Sequence, residues 1–408
     1  MSDPAAEERH ATWLELFFDL VLVAAVAQLA HLLHDGPGVR EVFLFAVLYY
    51  AMWSVWTSFT LYANVIAART RTGLMLAAMF GIAVMAASVP QVAHGNSRIF
   101  IIAYIWCRLL AASSWKRTSR LMTEWPGVQQ AVGVLPWIAS LGYESPTRYW
   151  LWLAGVVLDV VFSISRSRDP AGLLAREQKE RDRERRNRLP RLVRRFRGGK
   201  STPELVEPPA QVQAAQPDRP HLGERLGLFV IIVLGEAVAQ LVNAAAGVPA
   251  WDRALWLVVL CGFGLLVAIW WLTLRYGSNA APTYGMRVFA LRLTMPAHYL
   301  TTGSIVAIAA GLGALADPED GRIPEANRWV LCAGAALFFL TAAVVGARGG
   351  ATRRWILLWA LPAVAASVLL GLFGGPLPSW ALAGVVLVVA LWHVAYRQVD
   401  SGQPDPSG

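Results

Sequence analysis

Long apolar runs, each of about 20 residues and divided by short breaks rich in Gly, Pro and Arg, make up most of this chain. That is the helical length needed to cross ~30 Å of hydrocarbon. Read for such runs, the first half predicts helices near 14–34, 41–63, 73–90, 98–115, 128–142 and 149–165. The second half predicts six more, near 224–246, 252–274, 287–314, 329–347, 353–373 and 379–397. The fifth is short and contains Pro136. The expected fold class is all-α: a polytopic integral membrane protein of about twelve transmembrane helices.

The first helix has an echo. A shift of 212 positions lays Leu16-Phe17 on Leu228-Phe229, Val21-Leu22 on Val233-Leu234, and Ala25 to Leu29 on Ala237 to Leu241. Six helices separate the two copies, so both start on the same side of the membrane. The pattern predicts two parallel six-helix repeats related by an axis along the membrane normal, with any functional cavity between them. Trp56 and Tyr62, near the end of the second helix, match the spacing of Trp270 and Tyr276 near the end of the eighth.

Charge sets the orientation. With the N-terminus inside, the inner connections hold Arg69 and Arg71; Lys116, Arg117 and Arg120; the basic stretch from 166; Arg275 and Arg287; and Arg348, Arg353 and Arg354. The outer connections hold far fewer cations. This bias places both termini in the cytoplasm and needs an even helix count, so the fifth helix is retained. The expected organisation is a cytoplasmic N-terminus (1–13), a first repeat (14–165), a basic and partly disordered cytoplasmic loop (166–223), a second repeat (224–397) and a cytoplasmic tail (398–408). Glu15 and Asp19 inside the first apolar run argue against a cleaved signal sequence.

Composition agrees: 56% of the 408 residues are hydrophobic and 15% charged, against roughly a quarter charged in soluble domains. The net charge of +9 is concentrated beside membrane segments rather than spread as a nucleic-acid footprint. Within the central loop, residues 176–188 alternate in charge and read as a solvated helix. The following stretch sets Leu189, Leu192, Val193 and Phe196 on one face among Arg191, Arg194, Arg195 and Arg197, which suits an anionic inner leaflet. Residues 198–220 read as a flexible linker. The three cysteines lie in apolar runs and suggest neither a disulfide nor a zinc site.

Ionisable groups at bilayer depth are costly and therefore candidates for function. Glu15 and Asp19 share a face of the first helix. The seventh opens with His221, Glu224 and Arg225, and carries Glu236, Gln240 and Asn243 as one polar stripe. Arg108 and Asp159 sit midway along the fourth and sixth helices, and neither is expected unpaired: Arg108 should bridge to Asp159 or Asp19. His298 stands near Pro296, an expected kink, as a proton-responsive or a structural histidine. No GxSxG, P-loop, GxGxxG or HExxH pattern is present, so no enzyme activity, metal or cofactor is expected.

The segments Glu15-Leu-Phe-Phe-Asp-Leu-Val21 and His221 to Glu236 resemble the opening stretches of the two halves in the bacterial low temperature requirement protein A family. His298 also looks like a family position. Leu22 stands where that family usually has Phe, and Ala237 where Ser is frequent. The resemblance implies a bacterial inner-membrane protein needed in the cold, without naming an activity. The leading expectation is a transporter or channel-like protein for an ion or small solute, with Glu236, Gln240, Asp19 and Arg108 near an inter-repeat cavity. The alternative is a membrane sensor or scaffold acting through the basic central loop. Expected partners are the anionic leaflet and a second copy of the chain, not nucleic acid.

Overall fold

The computed structural model describes residues 11–34, 36–67, 70–196, 211–278, 280–281, 290–316 and 321–400. Helices α1 (Trp13–His31), α2 (Val39–Ile66), α3 (Thr72–Ala93), α4 (Arg98–Lys116), a short α5 (Val134–Ala139) and α6 (Thr147–Arg166) form the first half. A polar helix α7 (Pro170–Phe196) follows. The second half contains α8 (Arg219–Gly247), α9 (Arg253–Tyr276), α10 (Leu291–Ala316) and α11 (Glu325–Arg348). A further span, Arg353–Phe373, consists of α12 (Arg353–Trp355), a π-helical turn and α13 (Leu361–Phe373), and α14 (Ser379–Asp400) ends the bundle. Among the described residues, eleven helices are long and apolar enough to cross a membrane. The chain is a multi-pass membrane protein.

The expected fifth helix, 128–142, requires correction. Only Val134–Ala139 is α-helical there, followed by a 3-10 turn at Ser140–Gly142. Yet the connection traverses the bundle. At its start Arg120 donates to Val65 O, at the end of α2, at 2.6 Å. At its far end Arg148 donates to Ser97 Oγ (2.9 Å) and Gly95 O, in the connection between α3 and α4. The crossing is thus made by mostly irregular backbone, which membrane depth allows only where protein encloses it. Pro126, Gly127, Gly133 and Pro136 prevent a continuous helix. Buried side chains take over the backbone bonds: Gln129 binds both N and O of Met122, and Ser163 Oγ accepts from Gly127 N. The even parity that the charge pattern demanded survives without a twelfth long helix.

The central loop also departs from expectation. α7 is anchored to the bundle, with Arg181 Nη1 donating to Thr118 O at 2.8 Å and Gln178 Oε1 accepting from Val212 N. The last part of the expected linker is ordered: β2 (Gln213–Ala215) pairs in parallel with β1 (Arg120–Met122). α8 then begins at Arg219, earlier than expected, capped by Asp218 with Pro220 in the first turn. Arg191, Arg194 and Arg195 fall on the last turns of α7, where only the backbone is described, and Arg197 lies outside the described residues.

α2 is buried on every side from Val47 to Val65, and α10 nearly so from Thr301 onward. A helix apolar all round belongs in the centre. Tyr49 Oη donates to Thr302 Oγ1 at 2.6 Å and Tyr299 Oη to Ala46 O at 2.7 Å, which fixes the register of these two helices. Around them, α1 packs on α3 and α3 on α4, while α8 packs on α10 and α10 on α11. The halves meet where α1 and α2 contact α8 and α10. α9 lies peripherally, exposing Trp256, Phe263, Trp270 and Trp271.

One packing prediction follows from the crossing. A Cβ at Gly133 would lie 2.5 Å from Gly155 O and 2.7 Å from Asp159 Cγ. Gly133→Ala should therefore cost about 1–3 kcal/mol or more as overpacking. Gly223→Ala, where a Cβ meets nothing within 4 Å, should be near neutral. Thermal unfolding of the two variants in detergent, side by side, checks this; equal midpoints would contradict the placement of the crossing.

Candidate functional site at the seam between the halves

The first turn of α1 builds one side of the site. Thr12 is the N-cap, its hydroxyl accepting from Glu15 N while Glu15 Oε2 accepts from Thr12 N at 2.9 Å. This capping box fixes the Glu15 carboxylate at the helix start, with Asp19 one turn further along the same face. From the other half, α8 brings Arg225. Its guanidinium grips Asp19 bidentately, Nη2 to Oδ1 at 2.6 Å and Nε to Oδ2 at 3.1 Å. The third nitrogen, Nη1, lies 3.3 Å from Glu15 Oε1.

Two further groups close the cluster. Trp56 Nε1 donates to Asp19 Oδ1 at 2.7 Å, and its ring stacks on Phe229 with centroids 4.6 Å apart. His221 Nε2 lies 3.5 Å from Glu15 Oε2, with Nδ1 3.1 Å from Asn64 Nδ2. An amide nitrogen only donates, so that contact makes Nδ1 the acceptor and leaves Nε2 to carry the proton toward Glu15. Asn64 also accepts from Asp218 N, tying the end of α2 to the cap of α8. Glu15, Asp19, His221 and Arg225 are each at most 3% exposed. The four described side chains thus bring two carboxylates, one guanidinium and one imidazole together in the protein interior.

His298 of α10 adjoins this cluster but has a structural setting. It is fully buried, accepts from Trp53 Nε1 at Nδ1 (3.2 Å), and so must present Nε2–H to Leu226 O, also at 3.2 Å. It stacks on Trp56 with centroids 5.6 Å apart. Both ring nitrogens are thereby used, and the histidine joins α2, α8 and α10.

Arg108 and Asp159 form a separate centre inside the first half, paired at 2.8 Å and each 3% exposed. This is one of the two pairings that charge burial called for. Arg108 also donates to Ser58 Oγ and Gly127 O, and Asp159 Oδ1 accepts from Gly133 N. The pair clamps the irregular crossing between α2, α4 and α6. The adjoining void, about 10 Å³, holds one water at most.

The expected convergence of Glu236, Gln240, Asp19 and Arg108 on one cavity is not what the structure places. Glu236 is half-buried and accepts from Gln240 Nε2 at 2.7 Å, while Asn243 is exposed. Glu236 follows Arg225 by eleven residues, about 16 Å along α8. The reason is the facing of the helix: Val233, Ala237 and Leu241 occupy the packed side. The polar stripe falls beside it. Glu224 is likewise half-buried. Of the seam residues, sequence reasoning did not single out Thr12 or Asn64 and read Trp56 only as a repeat marker. The T-x-x-E spacing of Thr12 and Glu15 ahead of the apolar run is a capping-box signal that could have marked Thr12, whereas no sequence pattern marks Asn64.

An apolar cavity of about 600 Å³ also lies at the seam, between α2, α10 and α11, with Tyr49 and Tyr299 in its wall. Its lining suits hydrocarbon rather than an ion.

The motif-bearing helices meet at this seam, and comparison with known proteins bears on their origin. The family model for the bacterial low temperature requirement A protein matches residues 10–395, nearly the whole chain. The chain belongs to that family. It is also similar to an uncharacterized protein of Rhizobium meliloti (strain 1021), with 26% identity over 330 residues, covering 77% of this chain and 70% of the relative. No solved structure matches. The two stretches that carried the resemblance therefore meet in space: Glu15 and Asp19 come from the first, His221 and Arg225 from the second.

Proposed function

We propose that this low temperature requirement A family member is a transporter or channel-like protein of the bacterial inner membrane, with both termini cytoplasmic. In this reading the Glu15–Asp19–Arg225–His221 cluster is a proton-binding latch between two parallel halves. One observation carries it. A buried group of two carboxylates, a guanidinium and an imidazole joins α1 to α8, so a single proton changes the charge of the joint on which any relative motion of the halves depends. Support for the repeat is the shared order of neighbours, with α1, α3 and α4 packed like α8, α10 and α11. The central burial of α2 and the peripheral place of α9 mark where the halves have diverged.

Reconstituted vesicles test transport itself. Imposing a pH gradient and following H⁺, Na⁺, K⁺ and a panel of small solutes should reveal at least one species that moves in response. No movement for any species across that panel would remove the transport reading.

A second reading, a sensor or scaffold acting through the basic central segment, is favoured by the sealing of the cluster and by the docking of α7 on the bundle. Deleting residues 184–210 leaves the α7 anchor, β2 and the α8 cap in place. A transporter should keep its flux after that deletion; a scaffold should lose its role in cold growth.

A further inference from the structure

At the end of the bundle where α1 and α8 begin, a cavity of about 840 Å³ opens between the ends of α2, α3 and α4. Arg71, Arg117 and Arg120 line it, and among the described residues no carboxylate does. Arg120 is held by Val65 O. Arg71 and Arg117 are exposed, and among the described residues neither has a carboxylate partner. The helix termini modify this field without reversing it. α3 starts here with Arg71 as N-cap and no side-chain cap, which leaves its positive end open. α2 and α4 end here, and each contributes a negative end. At about half a charge per terminus the three sum to roughly −0.5, against +3 from the guanidinium groups. Part of the α4 terminus is already neutralised, because Thr118 Oγ1 donates to the carbonyl of Trp115.

The rest of the lining is mixed: Val65 and Ile66 of α2, Leu74 of α3 and Leu110 of α4 form apolar walls, while Ser113, Ser114, Thr118 and Ser119 add hydroxyl groups beside the arginines. All three helices are membrane-spanning, so the arginines stand at the level where hydrocarbon gives way to headgroups. By contrast, the cavity under α7 mixes signs, with Lys116, Arg166 and Arg176 beside Glu177 and Glu180.

We infer that the cavity bounded by Arg71, Arg117 and Arg120 is a binding site for the phosphate of an anionic phospholipid headgroup. Guanidinium forks match phosphate oxygens, and basic pockets between transmembrane helices suit such headgroups. The apolar walls at Val65, Ile66, Leu74 and Leu110 would carry the upper part of an acyl chain. A soluble phosphate shares the recognised chemistry but gains nothing from those walls.

The test is lipid binding to the full chain in detergent, read by native mass spectrometry with dioleoyl phosphatidylglycerol, dioleoyl phosphatidylcholine and inorganic phosphate as probes. Phosphatidylglycerol should bind at least tenfold more tightly than phosphatidylcholine. The double variant Arg71→Gln/Arg117→Gln should lose roughly 25-fold, at about fivefold per arginine near a membrane surface. The matched control, Arg166→Gln/Arg176→Gln, should change binding less than threefold, and circular dichroism should show both proteins folded. Equal binding of the two lipids, or equal losses in both double variants, would overturn the site. Displacement of phosphatidylglycerol by millimolar inorganic phosphate would overturn the lipid assignment in favour of a soluble phosphate.

Discussion

Arg225→Met will destabilise the protein more than any other single substitution at the seam, by about 3–5 kcal/mol or more. Arg225 is the cation that Glu15 and Asp19 share, and it is fully buried between them. Its removal strips Asp19 of its paired cation and Glu15 of one of its partners, and breaking a buried pair from one side costs that much because of the charge left behind. Adding Asp19→Leu should recover part of the loss, since only Glu15 then remains charged, within reach of its capping box and His221. Asp19→Asn alone should cost less than Arg225→Met, because the arginine keeps Glu15. Trp56→Phe removes one hydrogen bond to a charged acceptor, worth about 1.5–3 kcal/mol. Thermal unfolding of the set in detergent gives this order directly. A fully stable Arg225→Met would refute the geometry of the latch.

The second large effect belongs to Arg108. Arg108→Leu abandons Asp159 in the interior and withdraws the donors to Ser58 and Gly127. Its cost should again be about 3–5 kcal/mol, reduced by adding Asp159→Leu but not abolished, since Gly133 N then loses its acceptor. The location of the damage distinguishes it from Arg225→Met. Hydrogen exchange should quicken in peptides covering 120–134, the irregular crossing, while the first turns of α8 keep their protection. Arg225→Met should show the reverse. Equal exchange in residues 120–134 of wild type and Arg108→Leu would contradict a clamping role.

Much of this fold is legible from the chain because hydrocarbon leaves few options. A span needs a long apolar run, and eleven of the expected twelve were found on that criterion alone. The fifth crossing misleads for a definite reason. In residues 128–142, Val128, Val134 and Trp137 are apolar because protein encloses them, while Leu135 and Ile138 are exposed on the outside of the bundle, and enclosure leaves the same compositional mark as lipid. Pro126, Gly127 and Gly133 carry the contrary signal, which becomes decisive only once Asp159 and Ser163 are known to stand opposite.

The site was legible in its parts rather than in its pairing. Burial of charge implied that Arg108 would find Asp159 or Asp19, since few acids lay at matching depth, and the structure selects Asp159. For Asp19, the 212-residue shift sets Ile231 opposite, whereas its partner is Arg225, six residues earlier on α8. Internal similarity relates positions within each half; it does not say at what height the two halves touch. Glu236 drew attention because it lies deeper in α8, but the packed face of that helix belongs to Val233, Ala237 and Leu241.

The central claim is that the cluster joining α1 to α8 binds the proton that governs movement of the halves. The most direct test is pH-gradient-driven flux in proteoliposomes, comparing wild type with Asp19→Asn and normalising each to folded protein. Wild-type flux should depend on the gradient, and Asp19→Asn should lower it at least tenfold at equal folded content. Flux that ignores the gradient, or that survives Asp19→Asn undiminished, would contradict it.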